Sequence, residues 1–205
     1  GTYEWATKAG GTIFDSGRDI SVLPDGSSIV TGRFQGTATF GNTTFTSAGN
    51  EDVFIAKLDA DGDYQWATTA GGTGADQGNY LSVLADGSSI VTGYFKDTAT
   101  FGSTTLTSAG NDDVFVAKLD ASGTYEWATQ AGGTGTDAAY GVSVFADGSS
   151  IVTGQFNDTA TFGSITLTSA GGSDAFIAKL DANGSFDIIV IPDDADLIIN
   201  TQSDT

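Results

Sequence analysis

The 205-residue chain carries 26 acidic against 7 basic side chains, a formal charge of −19, and contains no histidine, cysteine or methionine. So acidic a chain repels phosphate backbones and anionic lipid headgroups, which argues against nucleic acid and membrane surfaces as partners. Without His or Cys, the Ser-His-Asp and Cys-His nucleophile systems, His-ligated metals and disulfide staples are all excluded.

Apolar residues make up 39% of the chain, enough for a real core, so disorder is not the default. Glycine is abundant (29) and proline scarce (2), while Thr, Ser, Val, Ile and aromatic residues fill the short runs between glycines. With no sustained 3.6-residue apolar periodicity, this predicts short strands, tight turns and little or no helix. The longest aliphatic run, residues 188–191, is far too short to cross a membrane. The acidic surface reads as solvated and self-repelling, suited to saline or crowded extracellular conditions, rather than as a cation-binding surface. The missing initiator Met suggests a processed or excised piece of a longer product.

Residues 1–183 follow one 61-residue unit written three times: Trp5, Trp66 and Trp127 keep that interval, as do Gly26, Gly87 and Gly148 and Lys57, Lys118 and Lys179. Residues 62–122 and 123–183 agree at 43 of 61 positions with no gap. A period of this size means an array of supersecondary units, each unable to bury its apolar faces alone. In chain order, residues 1–11 correspond to the last strand of a unit whose first three strands are missing. In the second copy, residues 80–84 read as a strand, Ala85-Asp86-Gly87-Ser88 as an Asp-Gly hairpin turn, and residues 89–95 as the returning strand. Residues 97–108 read as a small accessory hairpin with Phe101-Gly102-Ser103 near its tip. Residues 114–119 form a third strand, Asp120-Ala121-Ser122-Gly123 a turn, and residues 124–130 a fourth strand running into Gly132-Gly133.

Four antiparallel strands per copy is the make-up of a propeller blade. Phe115, Ala117 and Leu119 share one face of their strand and Val114 and Val116 the other, so both faces are apolar, as a strand packed between two neighbours requires. Gly93, Gly132 and Gly133 suit places where backbones crowd or turn sharply. The expected fold class is therefore all-β, an open propeller-type array of three four-stranded blades. Its expected divisions are 1–11 (partial blade), 12–72, 73–133, 134–191 (with a divergent last strand) and 192–205 (tail).

The run WAT-x-AGG, a DG turn, IVTG-x-F, TATFG, TLTSAG and DVFVAKLD resembles the bacterial β-propeller repeat family known as SBBP repeats, across all three copies. That resemblance implies a propeller-type fold in secreted or cell-surface bacterial proteins, and it brings no catalytic motif with it.

Candidate chemistry is sparse. Arg18 and Arg33 are the only arginines, both in the first copy, so an arginine cluster of the sialidase kind is not available. Two carboxylates suffice for glycoside hydrolysis, but Asp25, Asp86 and Asp147, Asp52, Asp113 and Asp174, and Asp59, Asp120 and Asp181 all recur and read as turn residues. A catalytic pair needs unlike surroundings, which repeated acids lack. No catalytic residue, metal ligand or cofactor is assigned. Asp59-Ala60-Asp61-Gly62-Asp63 places three carboxylates in one turn as calcium would want, yet the equivalent turns lose two of them, so backbone-bonding turn chemistry is preferred.

Trp5, Trp66 and Trp127, each two residues after Tyr3, Tyr64 or Tyr125, read as same-face blade core rather than sugar-stacking platforms. The copies differ most at residues 13–20, 74–81 and 135–142, and at Arg33, Tyr94 and Gln155. A recognition surface would lie there; the competing reading is drift at exposed sites. Asn42, Asn157 and Asn183 fall in incidental N-x-S/T sequons.

Closed propellers take ~4–8 blades, so three copies do not make an ordinary ring. At the far end Phe186, Ile188 and Val190 align with Tyr125, Trp127 and Thr129, so the tail is expected to supply the last strand of the third blade. Pro192 with Asp193, Asp194 and Asp196 would stop that strand, and residues 197–199 offer a further short apolar run. The surplus N-terminal strand must pair elsewhere: in a longer array, in a six-bladed ring of two chains, or by strand donation into a filament. The expected function is a non-enzymatic, extracellular or cell-surface structural or adhesive module that self-associates through its terminal strands. A glycan-binding propeller is the alternative, and a polysaccharide-active enzyme the third.

Overall fold

The repeated Asp-Gly turns set the architecture. Gly26, Gly87 and Gly148 adopt positive φ of 84–87°, and in the second copy Leu84 N donates to Ser88 O at 2.8 Å while Gly87 N donates to Leu84 O at 3.0 Å. Asp86 Oδ1 accepts from both the amide and the hydroxyl of Ser88, and Asp25 and Asp147 repeat the arrangement with Ser27 and Ser149. Each turn folds an inner strand back against a long second strand.

The computed structural model describes residues 1–186, in which twelve antiparallel strands form one unclosed sheet and no helix occurs. They are β1 (Ala9–Gly11), β2 (Asp15–Val22), β3 (Ser28–Phe40), β4 (Thr43–Leu58), β5 (Tyr64–Gly72), β6 (Gln77–Val83), β7 (Ser89–Phe101), β8 (Thr104–Leu119), β9 (Tyr125–Gly133), β10 (Ala138–Val144), β11 (Ser150–Phe162) and β12 (Ile165–Leu180). Strands β2 to β5 pair in order, as do β6 to β9 and β10 to β12. The fold is all-β and consistent with a β-propeller.

One expectation needs correction. Residues 97–108 are not a separate hairpin but the distal half of the long β7–β8 hairpin, with Gly102 and Ser103 at its tip. The ladder breaks once, between Lys96 and Thr98, where Asp97 takes φ 61° and its amide donates to Ser108 Oγ at 3.0 Å. That single left-handed residue redirects the hairpin without ending it, a bulge rather than a turn. Gly36 and Asp158 hold the same conformation in the other copies.

Consecutive sets of strands are stitched at glycine pairs. Gly71 and Gly72 of β5 pair with Thr100 and Ala99 of β7, and Gly132 and Gly133 of β9 pair with Thr161 and Ala160 of β11. A Cβ on Gly133 would lie 1.7 Å from Thr159 O, so only glycine allows this approach. The N-terminal segment finds the equivalent seat inside the chain, because Gly10 and Gly11 of β1 pair with Thr39 and Ala38 of β3.

Packing between the sets builds the core. Phe115, Ala117 and Leu119 fall in a cluster with Ile29, Val53 and Ile55 of the preceding copy, whereas Val114 and Val116 fall with Phe156, Phe162 and Phe176 of the following one. The two apolar faces of β8 thus serve two different interfaces, as the alternation predicts. Strand β6 also packs against both β2 and β10, so the first strand of each copy lies along a common inner side.

The Tyr-x-Trp pairs depart from the expectation of a shared face. Tyr125 packs on Phe101 in the interface before its copy, while Trp127 joins the interface after it. The cause is a register slip between Lys118 and Leu119, which admits one extra residue between Tyr125 and Trp127 and reverses the alternation. Each Trp reaches the next turn: Trp5, Trp66 and Trp127 Nε1 donate to the carbonyls of Ala60, Ala121 and Ala182 at 3.0, 3.1 and 3.2 Å. Phe186 bridges to Leu180 and meets Phe162 edge-on at 5.7 Å, standing where Tyr125 stands against Phe101. The rest of the expected tail strand, with Ile188, Val190, Pro192 and residues 197–199, lies outside the described residues.

Candidate functional site

The variable segments converge on the inner side of the array, where they tie the copies together. Arg18 Nη2 donates to Gln77 Oε1 at 3.0 Å, Gln77 Nε2 donates to Asn79 Oδ1, and Asn79 Nδ2 donates to the carbonyl of Ala139 at 2.8 Å. Leu81 N donates to Asp19 Oδ2 at 2.9 Å. Gln77, Asn79, Ala138 and Ala139 are buried, so drift at exposed positions does not describe them. The polar chain runs through all three copies and ends on a main-chain carbonyl of the third.

Arg33 lies beside this chain. Its guanidinium pairs with Glu51 at 2.7 Å and sits 4.7 Å from the centre of the Phe14 ring. Tyr94 lies within reach of the charges of Arg33, Asp112, Glu51 and Arg18, and burial holds its hydroxyl above the usual tyrosine range. Gln155 is half-buried opposite Ala138. Of the large apolar side chains at the variable positions, Ile13, Phe14, Ile20, Tyr80 and Tyr140 are left exposed.

The Asp59 turn is occupied by its own backbone. Asp59 Oδ1 accepts from the amides of Asp61 and Asp63 at 3.1 and 2.9 Å, and Oδ2 accepts from Gln65 Nε2 at 2.7 Å. Asp120 and Asp181 do likewise, so the carboxylate common to the three turns is a backbone staple.

A different set of acids is paired. Asp52, Asp113 and Asp174, expected in turns, sit within β4, β8 and β12 instead, and Asp52 and Asp113 are only 5% and 1% exposed. Two of them face an aspartate that sequence reasoning missed, Asp76 for Asp52 and Asp137 for Asp113. A Cβ at Gly71 would lie 2.8 Å from Asp52 Oδ1 and 2.9 Å from Asp76 Oδ2, which puts the two carboxyls on the same side of that backbone. Gly71 and Gly132 hold φ of 151°, and each leaves open the space a side chain would take from the acids. The 61-residue interval of Asp15, Asp76 and Asp137 was the available signal; that they meet the other set depends on packing between strands far apart in sequence.

The hydrogen bonding within each pair is uneven. Asp76 Oδ2 accepts from Gly72 N at 2.8 Å and Oδ1 from Lys96 N at 3.0 Å; Asp137 repeats this with Gly133 N and Asn157 N. Asp52 Oδ2 accepts from Ala48 N at 3.0 Å and Asp113 Oδ2 from Ala109 N at 2.9 Å, while Oδ1 of each is buried with no partner. Burial pushes Asp76 up to about 7 and Asp52 and Asp113 up to about 6, and it raises Asp137 as well. A cleft of about 500 Å³, lined by Gln130, Gly132, Gly133, Thr159 and Thr161, opens onto Asp113. Among the described residues no three acidic side chains converge as a metal cage.

Comparison with known proteins agrees with the fold. Residues 146–187 match a family described as a domain of unknown function (DUF5122) beta-propeller. An uncharacterized WD repeat-containing protein of Acanthamoeba polyphaga mimivirus is 30% identical over 190 residues, covering 77% of this chain and 14% of that protein. The chain therefore spans only 14% of the length of the curated relative it matches. Together the two matches support a β-propeller repeat family.

Proposed function

Starting from a β-propeller repeat protein, we propose that the chain is an extracellular or cell-surface structural or adhesive module, not an enzyme. It assembles with further copies through its terminal strands and the apolar faces beside them. Each 61-residue copy is one blade of four antiparallel strands, with repeats of the SBBP type. Nucleic acid and membrane are not its partners, in keeping with the charge of −19.

The reading rests on one position met in three settings. Ile55 is 1% exposed and Val116 0%, each covered by the copy that follows, whereas the equivalent Ile177 is 77% exposed. At the other end, Ile20 and Val22 are 56% and 65% exposed where the equivalent of Ile20, Leu81, is 5% exposed. The two ends therefore carry complementary halves of an interface that is built twice inside the chain. An exposed apolar patch of this kind marks an association surface, and a head-to-tail contact propagates into a filament unless its rotation closes a ring. The paired aspartates are too deeply buried to receive a polysaccharide, which supports the non-enzymatic reading.

Light scattering across a concentration series tests the proposal. The wild type is expected to grow in mass with concentration, and Ile177→Asp to lose association on the order of tenfold. Its melting temperature in dilute solution should not change. A wild type that stays monomeric throughout would overturn the reading. Exposed Tyr80 and Tyr140 on the inner strands favour a second reading, glycan stacking. That reading requires polysaccharide binding that Tyr80→Ala with Tyr140→Ala abolishes.

A further inference from the structure

We propose that each junction between copies is a site for one hard divalent cation, held between Asp52 and Asp76 at the first junction and between Asp113 and Asp137 at the second. Three observations lead there. Oδ1 of Asp52 and of Asp113 is buried without a hydrogen-bond partner, although both side chains are nine-tenths or more buried. A buried polar atom left unpaired carries a full desolvation cost, so native proteins supply it with a partner. At the first junction the orphan oxygen lies on the same side of the Gly71 backbone as Asp76 Oδ2, where a partner could bridge the two.

The charges decide what kind of partner it is. The side-chain charges that act on Asp76 are those of Asp52 and Asp97, both negative. Asp113 feels Asp137 and Asp112, and Asp137 feels Asp158 and Asp112. The charges that bear most on Asp76, Asp113 and Asp137 are thus all negative. Two carboxylates are hard oxygen donors, which suits Ca²⁺ or Mg²⁺ with water completing the shell. The amides of Gly72 and Lys96 already hold both Asp76 oxygens in place, and those of Gly133 and Asn157 hold Asp137, so one member of each pair is preorganised. The cleft beside Asp113 gives an ion a way in.

The site also has a structural reason. Asp52 belongs to β4 and Asp76 to the link into β6, so an ion between them clamps one copy to the next. At the open ends, Asp15 and Asp174 are the single members that have lost their partners among the described residues, each still bonded to a backbone amide.

Calorimetric titration of the chelator-stripped full chain with Ca²⁺ at pH 8 tests this directly. The expected result is saturable binding of about two ions per chain with a rise in melting temperature. The double variant Asp52→Asn with Asp113→Asn should lose the binding, whereas Asp59→Asn should keep it. Absence of heat and of any melting shift with Ca²⁺ or Mg²⁺ on the wild type would overturn the proposal, whatever the variants do. Binding that survives in the double variant would also overturn it, because it would belong to the general acidic surface.

Discussion

Asp76 receives hydrogen bonds from two backbone amides, each of which favours the charged form, yet its pKa is pushed up to about 7 because burial outweighs both. Asp52 and Asp113 follow at about 6. A carboxyl whose folded pKa stands above the ordinary 3.8 is easier to protonate folded than unfolded. Its stabilising contribution is complete below the unfolded value and is lost as pH rises through the folded one. In chelator, the melting temperature should therefore climb as pH falls from 8 to about 5, opposite to ordinary acid denaturation. Asp52→Asn with Asp113→Asn should flatten the slope, since an amide has no proton to lose. The exposed Asp25, Asp86 and Asp147 pull the other way: hydrogen bonds from Ser27, Ser88 and Ser149 lower their pKa values, and their help fades only on strong acidification. A melting temperature that falls steadily from pH 8 to 5 would show that the buried pairs do not set the balance.

Among the elements, the glycine pairs carry the connection from copy to copy. Gly133→Ala places a Cβ 1.7 Å from Thr159 O and 2.8 Å from its carbonyl carbon, so backbone has to move. The expected loss is about 3 kcal/mol. Gly172→Ala meets nothing within 4 Å and should stay within about 0.5 kcal/mol of the wild type. Denaturant unfolding monitored by tryptophan fluorescence compares the two, and equal effects would refute the account. These glycines were legible in the sequence, as were the Asp-Gly turns and the two apolar faces of residues 114–119, because each follows from local chemistry or strict alternation. The split of Tyr125 from Trp127 was not, since it comes from a register slip with Lys118 and Leu119 on another strand. Nor was the meeting of Asp52 with Asp76, or the burial of variable Gln77 and Asn79 between copies. Those depend on neighbours that a reading of one copy at a time does not bring into view.

Across the whole molecule, stability should be unequal along the array. In a repeat protein each unit contacts only its neighbours, so a unit's stability is its own plus that of the interfaces it shares. The middle copy shares both of its faces: Val91, Phe95 and Phe115 lie in one apolar cluster, Ile90, Val114 and Val116 in the next. The third copy buries Phe156, Phe162 and Phe176 on one side and leaves Ile151 and Ile177 open on the other. Local opening is easiest where fewest apolar contacts must be broken. Amide hydrogen exchange in dilute solution should therefore be slowest in β7 and β8 and faster, on the order of tenfold, in β11 and β12. Raising the concentration should narrow that gap if a second chain covers the Ile177 face, because its protection then resembles that of Val116. Uniform exchange across all three copies at every concentration would mean that the array opens as one unit and that its ends have no unmet interface to satisfy.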